Sequence, residues 1–467
     1  MRFITCKSCY RLPYQQIEIF MWLKNLFQKL SNIYFLSLAS NAVISLLGML
    51  TYAVLSRSLT LEELGLWVFF TAVLGLLETI RSGFIVTAFI KFYSGTTPER
   101  AQEVCGSVWF LSVVLTLIVV VINVPAWFLT DYIYNKGLIL SIKWFSLYFI
   151  FTLPVFIANC VLQAQQYFGA LLFLRFINQG LFILFVILLI LTKQDNINTI
   201  IYAYLLTQLV ASIICLMKGW TNIQTFSKRT KTCIAEIFHF GKYSVGTTLS
   251  ANLFRSSDTF IINFMLGPAA LAIYNLGQKL MEMVEIPLRS YAAIGMPVMS
   301  VAFNQNKKNE VIYLMKKYTG TLTLMLIPCA IAAYFLADYA IFFIGGKQYA
   351  GTEAANVFRI FITFALLYPA DRFLGLTLDV IHQPQVNFVK VLVMLAVNIL
   401  TDFIGIYIFK NVYGVAIATL FPVLTGAVVG YWYLKKYMNF SFRDIYILGY
   451  QETQLFVKDT LKRWNFG

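Results

Sequence analysis

Asn275, Gln278, Lys279, Glu282, Glu285 and Arg289 recur at helical spacing inside an otherwise apolar stretch. On a helical wheel they share an arc of roughly 120°. Amides, cations and carboxylates on one stripe of a membrane-length segment line something wet, because a charge at mid-bilayer costs about 2.5–3.5 kcal/mol. Seven basic residues lie inside apolar segments (Lys143, Arg175, Arg255, Lys279, Arg289, Arg359, Arg372), as do six acidic ones (Glu78, Asp258, Glu282, Glu285, Asp371, Asp402). Fixed cations hold an anion, and carboxylates take up a proton or a cation, so the chemistry on offer is binding and passage. The slight excess of bases tilts the substrate towards an anion. Local neutralisation competes with that reading: Arg255 and Asp258 are i, i+3, and Glu285 and Arg289 are i, i+4.

The elements that must position these residues follow from composition. The chain is 59% hydrophobic and 12% charged, with mean hydropathy +0.74. Soluble domains are about one quarter charged. Apolar runs long enough to cross about 30 Å of hydrocarbon recur throughout, which gives an all-α polytopic membrane protein. Twelve spans are expected, from 35–55 and 64–80 to 413–434. The seven cysteines are dispersed, and Cys6-x-x-Cys9 has no second pair. Neither a disulfide framework nor a metal site is expected, and no cofactor.

Of 36 Lys and Arg, 24 fall on one side of this topology and five (Arg57, Lys136, Lys193, Lys347, Lys410) on the other. The positive-inside rule then puts both termini in the cytoplasm. It also accounts for most of the net charge of +15, so nucleic acid is not an expected partner. The expected organisation is a cytoplasmic N-terminal segment (1–32), with Met21 as the natural start. An N-lobe (33–217), a basic linker (218–242), a C-lobe (243–434) and a cytoplasmic tail (435–467) along the membrane surface follow. No span is expected after Leu434. Shifting 57–81 by 207 residues sets Leu64 on Leu271, Trp67 on Tyr274 and Glu78 on Glu285. Two six-helix lobes related by a pseudo-two-fold axis along the membrane normal are therefore expected, with the path between them.

Residues 241–303 carry a mid-helix Asp258, a turn at Leu266-Gly267, Ile273-Tyr274, and Pro297 followed by Ser300, while LSRSLTLEELGLW leads into the second helix. This pattern resembles bacterial polysaccharide transporters of the O-antigen flippase type, in the multidrug/oligosaccharidyl-lipid/polysaccharide exporter superfamily. The resemblance implies a transporter in the bacterial inner membrane that turns an undecaprenyl-pyrophosphate-linked oligosaccharide from the cytoplasmic to the periplasmic leaflet. Ion-coupled alternating access is implied, as are membrane lipids, a polysaccharide polymerase and a chain-length regulator as partners. A pyrophosphate needs fixed positive charge, for which the arginine fork is suited. Arg255, Lys279, Arg289, Arg359 and Arg372 of the second half, with Lys143 and Arg81 of the first, are the expected cationic lining. Glu78, Asp258, Glu282 and Glu285 are the expected ion-coupling carboxylates.

A multidrug or cation antiporter of the same superfamily is the nearest alternative, and would favour an acidic, aromatic cavity. A membrane polymerase would present a large outside loop, which the sequence lacks. An acyltransferase needs an intramembrane histidine as base, whereas His239 and His382 lie at loop ends.

Overall fold

In the computed structural model, residues 33–464 are described; the N-terminal 32 residues, including the lead-in at Met21, lie outside them. The described residues are helices and short turns, with no strand. The first group is α1 (Ile33–Ser58), α2 (Leu61–Tyr93), α3 (Pro98–Phe128), α4 (Lys136–Ala164), α5 (Phe168–Leu191) and α6 (Ile197–Met217). The second opens with α7 (Lys231–Met265), α8 (Pro268–Asn304), α9 (Lys308–Phe335) and the short α10 (Ala337–Gly345). It continues with the broken span α11 (Ala354–Phe364) and α12 (Tyr368–Val380), then α13 (Pro384–Phe409), then the broken span α14 (Val412–Ala418) and α15 (Leu420–Tyr437). Counting each broken span once, ten of these are long and apolar enough to cross a membrane. With α1 and α7 they complete the order of twelve. The polar residues Asn252, Arg255, Asp258 and Asn263 lower the hydropathy of α7.

Local chemistry sets the ends that matter. Thr60 and Glu63 form a reciprocal capping box that starts α2. Between α7 and α8, Gly267 adopts φ +89° and Pro268 opens the next helix, a turn that needs glycine for the left-handed backbone and uses proline where no donor is required. The basic end of the bundle holds the linker before α7 and the starts of α3 and α9. There Trp109 Nε1 donates to Thr221 O at 2.8 Å, and Arg100 pairs with Glu103 at 2.7 Å and with Glu236.

Helix α2 is the spine between the two groups, packed along α7 and α8. Phe69 meets Phe260 and Phe264 edge-on at 5.6 and 5.7 Å. Towards the basic end, Gly83 lies against Thr248 and Val245, and Gly241 against Phe84. The α2–α7 seam is therefore closed along its length, by small residues that let the backbones touch.

Two expectations are corrected. Helix α2 continues to Tyr93 rather than ending at residue 80, so Arg81 is mid-helix and not in a loop. Lys390, one of the 24 basic residues counted outside the spans, lies inside α13, 3% exposed and paired with Asp371 at 2.7 Å. Asp371 is thereby committed to a contact between α12 and α13.

The tail forms a further helix, α16 (Phe442–Trp464), docked on α9 rather than lying alone on a membrane surface. Gly449 sits at Gly320, while Glu452 pairs with Lys317 at 2.5 Å and accepts from Tyr313, so the two helices run antiparallel. The Lys317 ammonium, then the Tyr313 hydroxyl, hold the Glu452 carboxyl below its usual range. A depressed folded-state value stabilises the docked helix above the ordinary carboxylate range and loses that contribution as pH falls through the lowered value. Acidification below pH about 4 is expected to raise amide hydrogen exchange in α16 while Glu452→Gln removes the pH step. An unchanged step in that variant would assign it to another group.

Candidate functional site

A cavity of about 510 Å³ lies between the two helix groups. From α1 it takes Gly48, Thr51, Tyr52 and Leu55, and from α7 Asn252, Arg255, Ser256 and Thr259. Each of the four α7 positions lies 204 residues after its α1 counterpart. On α2 and α8, Val68 and Ala72 answer to Asn275 and Lys279, 207 residues apart. The same helical faces are thus used twice, with different side chains. Thr51 and Ala72 of the first half stand where the second half has Arg255 and Lys279, so both cations belong to one wall.

Arg255 is exposed to the cavity and has no ion pair or hydrogen bond among the described residues. It does not neutralise Asp258. Lys279 is held by Glu282 at 2.8 Å, which leaves the ammonium only partly offset. The opposite wall is aromatic and amide: Trp67 stacks on Phe182 at 5.4 Å and meets Tyr204 edge-on at 5.3 Å. Beside them Asn178 donates to Gln208 Oε1 at 3.0 Å and Gln179 donates to Thr51. An arginine whose donors are unused among the described residues on one side, and flat rings with amides on the other, suit a ligand with a phosphate end and a hydroxyl-rich end.

The end of the cavity away from the basic end is shut. Tyr52 donates to Ala272 O at 3.2 Å, Ser56 to Ile344 O at 2.8 Å, and Arg57 to Phe343 O at 2.5 Å. Gln348 donates back to Ser56 O. Gly65 touches the Pro268 backbone so closely that no Cβ fits.

Behind the cationic wall lies a buried acidic cluster built by α7, α8 and α13. Asp258 accepts from Tyr274 and from Asn398 Nδ2, the latter at 2.6 Å. Asn398 also reaches Asp402 Oδ2 at 3.1 Å. Asp402 is fully buried, and its Oδ1 has no partner. Two carboxylates sharing one amide are costly when both are charged and unaccompanied. A proton or a small hard cation taking oxygen ligands relieves that cost. Among the described residues no group of three or more His, Cys, Asp or Glu is placed to hold a metal, so any cation here would rely on neutral oxygens as well.

The other expected site residues lie elsewhere. Arg289 pairs with Glu285 at 2.7 Å on α8, outside the lining of this cavity. Arg372 is exposed on α12 and Lys143 on α4, and neither lines it. Arg359 sits at the closed end, paired with Asp338 and donating to Asn356 at 2.7 Å. Arg81 is 2% exposed and saturated: it pairs with Glu78 at 2.6 Å, donates to Thr152 at 3.0 Å, and lies over the Phe149 and Phe156 rings. Arg81 is thereby committed to these partners, while Glu78 keeps 26% of its side chain exposed and does not line this cavity. Sequence reasoning missed Asn398 and Asp402 as a unit. Their i, i+4 spacing, two polar residues on one face of an apolar helix, was the available signal.

A family profile described as "Polysaccharide biosynthesis protein" matches residues 54–354. No curated protein sequence matches the chain. Among solved structures it is similar to an inward-facing multidrug resistance MATE family transporter of the MOP superfamily, with TM-score 0.72 and 15% identity over 87% of this chain and 95% of that one. It is similar to lipid II flippase MurJ in an inward closed conformation, with TM-score 0.70 and 15% identity over 92% and 93%. A third similar structure is a MOP superfamily transporter from Pyrococcus furiosus, with TM-score 0.60 and 15% identity over 86% and 95%. These likenesses establish the two-lobed fold.

Proposed function

Because the chain belongs to the polysaccharide biosynthesis protein family, we propose that it is a flippase. It moves an undecaprenyl-pyrophosphate-linked oligosaccharide, an O-antigen or similar repeat unit, from the cytoplasmic to the outer leaflet of the bacterial inner membrane. The observation that carries the reading is Arg255, an arginine unpaired among the described residues, in a membrane-embedded cavity with Lys279 on the same wall. A multidrug cation would meet repulsion there. The pyrophosphate takes the Arg255–Lys279 wall, and the proximal sugars face Trp67, Tyr204, Asn178 and Gln179. Under the positive-inside rule the basic end is cytoplasmic, so the cavity, shut at the Tyr52–Ala272 end, receives substrate from the cytoplasmic side. The same rule puts both termini there. Transport needs no bond-making residue, and the proposal assigns none.

Opening the far end requires separating α1 from α8 and α10, and a coupling ion supplies the driving force. The Asp258–Asn398–Asp402 cluster is the proposed seat, because Tyr274 ties it to α8 one residue before the cavity-lining Asn275. Glu282 and Glu285 are assigned to offsetting Lys279 and Arg289. Asp402→Asn is expected to abolish the dependence of transport on an imposed proton or sodium gradient, lowering gradient-driven flux about tenfold, while carrier binding is kept. An Asp402→Asn protein whose flux still follows the gradient would move coupling elsewhere.

The cellular test is a chromosomal deletion, which should strip surface polysaccharide and accumulate its lipid-linked precursor. Plasmid-borne wild type should restore the glycan and Arg255→Gln should not. Full surface glycan in the deletion strain would overturn the proposal.

A further inference from the structure

We propose that the closed end of the bundle carries a second site for a glycosyl pyrophosphate headgroup, distinct from the central cavity. Two hollows meet there at Phe342. One, of about 400 Å³, is lined by Arg57 and Lys347 with Ser56, Gly346 and Gln348. The other, of about 560 Å³, is lined by Asp338, Tyr339, Thr352, Asn356 and Arg359. Phe342 lines both, so the two are neighbours on one surface.

The first hollow has the chemistry of a phosphate site. Arg57 and Lys347 converge here from positions 290 residues apart in sequence. Arg57 spends its fork on one backbone carbonyl, Phe343 O. Neither Arg57 nor Lys347 has a carboxylate partner among the described residues. By contrast Lys136, at the same end, is neutralised by Glu62 at 2.9 Å. Two cations without a carboxylate partner among the described residues, flanking the Gly346 turn at φ +79°, suit the adjacent charges of a pyrophosphate.

The second hollow has the chemistry of a saccharide site. Tyr339 and Phe342 stand one helical turn apart on α10, 75% and 52% exposed, and offer flat faces to the C–H side of a sugar ring. Asp338 and Arg359 are locked together through Oδ2, a preorganised pair whose remaining carboxylate oxygen, Oδ1, faces no donor among the described residues. The order of the hollows, phosphate next to sugar, is the order of groups in a lipid-linked glycan.

The phosphate hollow also spans the gate, since Arg57 belongs to α1 and Lys347 follows α10. An arriving headgroup competes with Phe343 O for Arg57 and so draws on one of the bonds that hold this end shut. The assignment rests on the flippase reading for its direction, exit to the outer leaflet, but the site is testable alone.

The probe is N-acetylglucosaminyl-pyrophosphoryl-farnesol, titrated calorimetrically into the full chain in phosphatidylcholine nanodiscs, where both ends are accessible. Wild type should show two sites. Arg57→Gln with Lys347→Gln should weaken one of them about tenfold or more, and Arg57→Lys with Lys347→Arg should keep it, which separates charge from misfolding. Tyr339→Ala should weaken the same site for the sugar-bearing probe but not for farnesyl pyrophosphate. Two intact sites in the Arg57/Lys347 glutamine variant would overturn the proposal. So would loss of the site when phosphatidylglycerol replaces a third of the phosphatidylcholine, because the hollow would then be a bulk phospholipid site. Persistence of both sites in Arg255→Gln would instead count against the central cavity and leave the second site standing.

Discussion

Arg255→Gln combined with Lys279→Gln is expected to slow oligosaccharide translocation at least about a hundredfold, with the protein still folded and in the membrane. Each charge-assisted hydrogen bond to phosphate contributes about 1.5–3 kcal/mol. Losing one from each side chain removes about 3–6 kcal/mol in a site where water competes poorly. Arg255 should dominate, because nothing offsets it among the described residues, whereas Lys279 already shares its charge with Glu282. Arg255→Lys should recover part of the rate, since a point charge replaces the bidentate fork without reproducing its geometry. Flux of a fluorescent lipid-linked oligosaccharide in proteoliposomes measures the effect. Equal losses from Arg255→Gln and from Arg372→Gln, a residue outside the cavity, would indicate a nonspecific charge effect.

Arg81→Met is expected to destabilise the protein by about 3 kcal/mol, the low end for breaking a buried pair. Glu78 keeps 26% of its side chain exposed and can take up a proton once its partner is gone, which limits the cost. The change also removes the guanidinium from between Phe149 and Phe156, where its centre lies 4.9 and 4.4 Å from the ring centroids. Pairing it with Glu78→Leu should restore most of the loss, because an apolar pair of similar volume avoids the desolvation penalty. Thermal unfolding in detergent reads the stability. If the double variant is stable yet inactive in transport, the Glu78–Arg81 pair has a role beyond packing.

Much of the fold was legible because the bilayer restricts the choices: apolar length counted the spans, and Leu266-Gly267 marked a turn that Pro268 follows at the first helical position. The doubled architecture was also visible, faintly, in the 207-residue offset from Leu64 to Leu271. The cavity lining makes it plain, since Val68 and Ala72 fall opposite Asn275 and Lys279. Partners were far less legible. A mid-helix Arg81 reads the same in sequence whether it faces a cavity or Thr152 and two rings, and only packing decides. The stripe from Asn275 to Arg289 is a single face on the wheel. Pro287 lies within it, and only Asn275 and Lys279 line the cavity, while Arg289 is absorbed by Glu285 one turn away. Lys390 finds its carboxylate, Asp371, 19 positions away on another helix. Long-range pairs of this kind leave no local periodicity to read.

The central claim is that the wall bearing Arg255 and Lys279 receives the pyrophosphate of a lipid-linked glycan. Its most direct measurement is binding of farnesyl pyrophosphate to the purified full chain, compared with and without Arg255→Gln in a background carrying Arg57→Gln and Lys347→Gln, which weakens the second site. Saturable binding that weakens about tenfold or more on loss of the Arg255 guanidinium, and that weakens with salt, is the predicted result. Binding indifferent to Arg255, or binding of lipophilic cations in preference to the pyrophosphate, would contradict it.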